Sequence, residues 1–123
     1  MSDSAASWPF LRKVARSRPN WVASTAADAD RCVEAFPLRG TPEESLAKLA
    51  DVIRDQSRIT VTNQSPDRLQ AVATSLIFRF RDDVEFVATP KRIEVLSASR
   101  IGRSDLGANA RRVAALRAAY EQA

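Results

Sequence analysis

The sequence predicts an α+β fold: a single two-layer domain in which an antiparallel sheet of about five strands carries two main helices on one face. Three observations predict it. Residues 41–56 and 104–120 repeat apolar side chains at helical spacing. Between them, short β-branched or alternating runs follow one another through tight turns, which forces antiparallel pairing. A length of 123 residues suits one core, and neither an internal repeat nor a shift in composition marks a second.

In chain order, residues 1–18 read as a flexible arm ahead of a domain at 19–123. Its Trp8, Phe10, Leu11 and Val14, set among Arg12, Lys13, Arg16 and Arg18, suit packing on the domain's flank or a basic amphipathic hook. Residues 19–22 are expected to turn and residues 24–30 to form a loop. Residues 32–36 are the expected first strand, closed by Pro37 and Gly40. Thr41-Pro42-Glu43-Glu44 is a helix start: Thr41 caps, Pro42 suits the first helical position and Glu44 completes a capping box. Leu46, Leu49, Ala50 and Ile53 then give that helix its buried face.

Residues 58–62 alternate as a strand, and residues 63–67 form a turn cluster. Residues 69–80 read as one long strand with a bulge near Thr74-Ser75, Val72, Leu76, Phe78 and Phe80 sharing one parity and Ala71, Ala73 and Ser75 the other. Residues 84–88 and 93–99 are the last two strands, joined through Pro90-Lys91. The final helix is expected to begin near Ser104, with Asp105 in its first turn and Leu106, Ala110, Val113, Leu116 and Tyr120 as its apolar stripe. Asn109 falls inside that stripe, and a polar side chain aimed at a core has to find partners there.

Composition narrows the chemistry. The net charge is +4, but sixteen of the 19 basic residues are Arg and they are dispersed among acidic ones, so nucleic acid is not the expected partner. A single Cys32 and no His exclude an intramolecular disulfide, Ser-His or Cys-His catalysis and the usual zinc sites. No metal or other cofactor is expected. With no apolar run of bilayer length and no signal-peptide core, the expected location is cytoplasmic.

Two segments hold side chains that packing does not explain: Phe80-Arg81-Asp82-Asp83-Val84-Glu85-Phe86, and Ser97 to Asn109 with its glycines Gly102 and Gly107. The pattern Phe80-x-Asp82-Asp83-Val84-Glu85-Phe86 with Ser97-Ala98-Ser99-Arg100-x-Gly102-x-Ser104-Asp105-x-Gly107-x-Asn109-x-x-Arg112 closely resembles the family catalogued as domain of unknown function 1499. The resemblance spans residues 19–120. It includes Pro19-Asn20-x-Val22, where Trp21 stands in the place of the family's Cys. It implies the extent of the fold and the place of a site, an upstream membrane or export segment in many relatives, and no particular activity.

The candidate site is therefore Asp82, Asp83, Ser97, Ser99, Arg100, Arg103, Ser104, Asp105 and Asn109. As a clamp, Asp82 and Asp83 pair with Arg100 and Arg103 while Asn109 bonds the corner. As a binding site, Arg100, Arg103 and the serines receive an anionic or polar small molecule beside the helix start. As an enzyme, Asp82, Asp83, Glu85 and Asp105 hold a cation or exchange protons, although strand parity sends Asp82 away from Asp83 and Glu85, and Glu85 itself suits solvent. As an interaction module, the domain meets a partner protein through its arm and open sheet face. The small-molecule binding module is the functional expectation.

Overall fold

The computed structural model describes residues 18–76, 79–101 and 107–123. The expectations for the Trp8–Val14 stretch, Phe78, Gly102, Arg103, Ser104, Asp105 and Leu106 lie outside the described residues. Trp21–Ala23 is β1, Pro42–Arg54 α1, Ile59–Gln64 β2, Arg68–Thr74 β3, Arg81–Ala88 β4, Ile93–Ser99 β5 and Ala108–Gln122 α2. The sheet runs β1-β5-β4-β3-β2 with every neighbouring pair antiparallel. Strands β2 to β5 are a meander. The chain leaves β1, passes through α1 to the far edge and returns strand by strand, so the first and last strands become neighbours.

α1 starts as its sequence dictates. Thr41 Oγ1 accepts from the Glu44 amide at 3.0 Å, and Glu44 Oε1 accepts from the Thr41 amide at 2.9 Å, closing the capping box. Leu46, Leu49 and Ile53 of α1 share one buried cluster with Val113, Leu116 and Tyr120 of α2. The same cluster takes Val22, Leu69, Ala71, Val84, Phe86, Ile93 and Val95 from the sheet. Within each strand these residues share one parity, so both helices cover the same face. Phe36 seals this core, edge-on to Phe86 at 5.4 Å between ring centroids. The Tyr120 hydroxyl donates to the Pro37 carbonyl at 2.7 Å.

Four local expectations are corrected. The first strand is Trp21–Ala23 and not residues 32–36, so of the expected turn at 19–22 only Pro19 and Asn20 bend while Trp21 and Val22 are strand. Cys32 and Phe36 make only isolated bridges, to Ala23 and Ile93. A three-residue strand shows no alternation of its own, and it forms because β5 offers it a free edge. The expected long strand ends at Thr74, and of its two parities the small-residue one faces inward: Leu69, Ala71 and Ala73 are buried while Leu76 and Phe80 are 67% and 48% exposed. The small side chains lie under the helix layer. The bulge falls in β2, between Val61 and Asn63, with Asn63 and Gln64 still paired to β3. The last described helix begins at Ala108 with Gly107 at its N-cap. Gly107 has φ +79°, and a Cβ there would lie 3.0 Å from Arg111 Nη1.

These connections bring one end of the sheet together. Thr74 pairs with Arg81 and Asp82 with Ser99. The Thr74 amide donates to the Arg58 carbonyl at 2.8 Å and the Arg100 amide to the Arg81 carbonyl at 3.2 Å. Among the described residues, no helix is long and apolar enough to cross a membrane.

Candidate functional site

Consecutive strand residues point to opposite faces, so the Asp82-Asp83 pair is divided by the sheet itself. Asp82 faces the helices and Asp83 the uncovered side. Each meets its own network.

On the helix side, Asp82, Ser97, Ser99 and Asn109 are all buried, Asn109 completely. The Ser97 hydroxyl donates to Asn109 Oδ1 at 2.7 Å, and Asn109 Nδ2 donates to Ser99 Oγ at 2.9 Å. Arg112 Nη1 donates to Asn109 Oδ1 at 3.0 Å and to Ser97 Oγ at 3.2 Å. Its Nη2 lies 2.7 Å from Asp82 Oδ2. One guanidinium thus ties the last helix to β4 and β5. In a core each of these groups would be costly alone, and together they hold the helix at one rotation and one height.

On the open side, Arg100 grips Asp83 with both ends of its fork, Nε to Oδ2 at 3.0 Å and Nη2 to Oδ1 at 2.8 Å. Arg18 Nη1 adds a third bond to Oδ2 at 2.8 Å. Burial pushes the Asp83 carboxyl up, but the bonds from Arg100 and Arg18 outweigh it and hold its pKa below the ordinary Asp value. Bonding to Asp83 likewise raises the Arg100 pKa. Glu85 shares this face but not the solvent expected for it: it is 1% exposed, and Arg68 donates to its Oε2 at 2.8 Å. Leu96 and Ala98 on β5 occupy the same side, so the position of Glu85 is apolar-lined and needs its cation.

Of the expected site residues, Asp82, Ser97, Ser99 and Asn109 come together inside, and Asp83 with Arg100 outside. Arg103, Ser104 and Asp105 lie outside the described residues. The partner of Asp82 is Arg112, which was not among the expected site residues. Its signal was available: Arg112 follows Asn109 by one helical turn and so shares its face. Arg18 had no such signal, since its partner is 65 residues away. Among the described residues no three His, Cys, Asp or Glu side chains converge as a metal-ligand set.

A depressed folded-state pKa fixes a sign. The Asp83 contribution is present in full above the ordinary carboxylate range and is lost as pH falls through the depressed value. Chemical denaturation of wild type and Asp83→Asn between about pH 7 and about pH 3 checks it. The variant is less stable at neutral pH by about 1 kcal/mol, an ion-pair value discounted for partial exposure, and the gap closes on acidification. A gap that stays constant with pH rules out the ionic grip.

Next to the inner network, a cleft of about 330 Å³ opens between the end of α1, strands β2 and β3 and the flank of α2. Arg58, Ser57, Gln56, Thr74 and Arg112 supply its polar groups, and Ile59, Ala73 and Leu116 its apolar floor. Among the described residues Arg58 has no ion pair, and the Nε–H of Arg112 has no acceptor. A second cleft of about 340 Å³ lies beside β1, where Arg31 stacks 4.5 Å over the Trp21 ring and Asp28 and Asp30 line the wall.

The chain matches the family model described as "Protein of unknown function (DUF1499)" over residues 13–120. No curated protein and no solved structure matches it.

Proposed function

We propose that this chain, which belongs to the DUF1499 family, is a binding module for a small anionic molecule with an apolar body. The residues first expected to bind are largely engaged with one another: Asp83 with Arg100 and Arg18, Asp82 with Arg112, Asn109 with two serines. They form the frame. The binding surface is the neighbouring cleft, and the observation that carries this reading is Arg58 at its mouth, a cation with no ion pair among the described residues, facing the wall that holds Arg112.

The chemistry follows from the lining. Arg58 meets the charge of an anion, and Arg112, fixed by Asp82, offers its remaining N–H donors from a rigid position. Thr74 and Ser57 add hydroxyls, and Ile59, Ala73 and Leu116 receive the apolar part. A volume of about 330 Å³ is at the small end of ligand sites, which selects a compact molecule. A reducing cytoplasm, where the exposed free Cys32 stays a thiol, is the setting this reading assumes.

Arg58 also supplies the test. Its backbone has φ 61°, a conformation that costs an L-residue roughly 1–2 kcal/mol and glycine nothing. Arg58→Gly therefore removes the cation without weakening the fold. Thermal shift with phenyl phosphate, hexanoate and inorganic phosphate reads both effects. Phenyl phosphate or hexanoate raises the wild-type melting temperature, by the equivalent of about 2.7 kcal/mol near a hundredfold excess over Kd, and inorganic phosphate raises it less. In Arg58→Gly the unliganded melting temperature is no lower and the ligand shift is gone. A flat wild-type panel, or an equal shift in the variant, refutes the cleft as the site.

A further inference from the structure

The end of the sheet that carries the cleft also carries the exposed large hydrophobic side chains of the described residues: Leu76 at 67%, Phe80 at 48% and Ile101 at 62%. They come from two connections, the one between β3 and β4 and the one leaving β5. The Ser75 amide donates to the Phe80 carbonyl at 2.9 Å within the first connection, and the Arg100 amide donates to the Arg81 carbonyl at 3.2 Å, linking the end of β5 to the start of β4. Arg58, Arg79 and Arg81 stand at the same end, exposed and with no ion pair among the described residues. The carboxylates nearest in the chain are committed elsewhere, Asp82 to Arg112 and Asp83 to Arg100 and Arg18. Among the described residues Asp55, at the close of α1, is the exposed exception.

We propose that this end of the domain docks on the surface of an anionic phospholipid bilayer, inserting Leu76, Phe80 and Ile101 among the headgroups while Arg79 and Arg81 bind lipid phosphates. Three features favour a lipid surface over other anionic partners. The apolar groups stand on two separate connections at one end of the sheet, which suits shallow insertion into an interface more than a flat protein contact. Two of the three are aliphatic, which gives nothing to base stacking and so argues against nucleic acid. Arginine beside them supplies the attraction to phosphate that apolar insertion needs to be selective, each such residue near the surface strengthening binding about fivefold. Arg79, in the connection between Thr74 and Arg81, has the left-handed φ of 60°.

The inference stands apart from the cleft: Leu76 also lines the cleft, but Phe80, Ile101, Arg79 and Arg81 do not, and ligand binding in the cleft rests on Arg58 and Arg112. Either can fail alone.

Co-sedimentation of the full chain with mixed phosphatidylglycerol–phosphatidylcholine vesicles and with phosphatidylcholine vesicles tests it. Binding is expected to the anionic vesicles, to fall with added salt and to be weak to the neutral ones. Leu76→Ser with Ile101→Ser, and separately Arg79→Gly with Arg81→Gln, each weaken it about tenfold or more. All four positions are exposed, so the melting temperatures stay near that of wild type; Ile101→Ser alone, expected to show a smaller loss of the same kind, serves if a double variant does not fold. Absence of binding to anionic vesicles overturns the proposal. So does full binding by both double variants, which would place the contact elsewhere on the chain. Binding that responds to the arginine pair but not to the apolar pair also overturns it, and assigns the arginines to a soluble polyanion.

Discussion

Asn109→Leu is expected to lower the unfolding free energy by about 3 kcal/mol, enough to bring the melting temperature down by roughly 10–20 °C in a domain of this size. Asn109 is fully buried and bonds Ser97, Ser99 and Arg112 at once. Leucine removes the amide partner of the Ser97 and Ser99 hydroxyls, leaving only Arg112 Nη1 on Ser97 Oγ, and forces a branched side chain into a space shaped for an amide. The loss has a specific signature. Combining Asn109→Leu with Ser97→Ala and Ser99→Ala recovers part of it, because removing all members of a buried polar set costs less than removing one. Chemical denaturation of wild type, Asn109→Leu and the triple variant measures both effects. An Asn109→Leu variant within about 0.5 kcal/mol of wild type would show that the network does not organise the corner.

Arg112→Met is the second large effect. It keeps most of the aliphatic stem but leaves the Asp82 carboxylate mostly enclosed and without its cation. Breaking a fully buried ion pair costs roughly 3–5 kcal/mol. Here the two side chains retain 19% and 11% exposure, so about 2–3 kcal/mol is expected. Asp82→Leu in the Arg112→Met background returns most of that loss, since the cost is the stranded charge and not the missing attraction. The double-mutant cycle should give a coupling near 2 kcal/mol. A coupling below about 0.5 kcal/mol would mean that Arg112 is held by Ser97 and Asn109 alone.

The two variants also divide frame from function. Arg112 lines the cleft, so its loss removes a binding group and a structural one together. Arg58→Gly separates them, because that residue touches the cleft yet stands in a backbone conformation that glycine prefers. Asp83 adds a third handle on the opposite face, where acid alone releases the grip of Arg100 and Arg18.

How much of this was legible beforehand varied with the range of the signal. The capping box at Thr41–Glu44, the stripe Leu46-Leu49-Ile53 and the inward Asn109 are local: each depends on residues within one or two helical turns, and each is found where its spacing places it. The parity of Asp82 against Asp83 is local in the same sense. The clamp between Asp83 and Arg100 was anticipated as chemistry, but with the partners assigned differently: Asp82 takes Arg112.

The errors share a cause. β1 is a strand because β5 offers an edge more than 70 residues later, and three residues carry no period by which to announce it. The inward face of β3 is its alanine face because the helix layer lies over it, and the alternation of residues 69–80 left open which parity would be covered. Glu85 looks like a solvent residue until Leu96, Ala98 and Arg68 are placed around it.

The sequence by itself determined the α+β class, the two helices, the run of antiparallel strands and the buried polar character of Asn109, because hydrophobic period, capping and turn chemistry act between near neighbours. Only the tertiary structure decided which carboxylate met which arginine, which face of β3 was covered, and that Leu76, Phe80, Ile101 and their arginines share one end. Those outcomes depend on pairings between residues far apart in the chain, and the two faces of a sheet become different only once the helices have covered one of them.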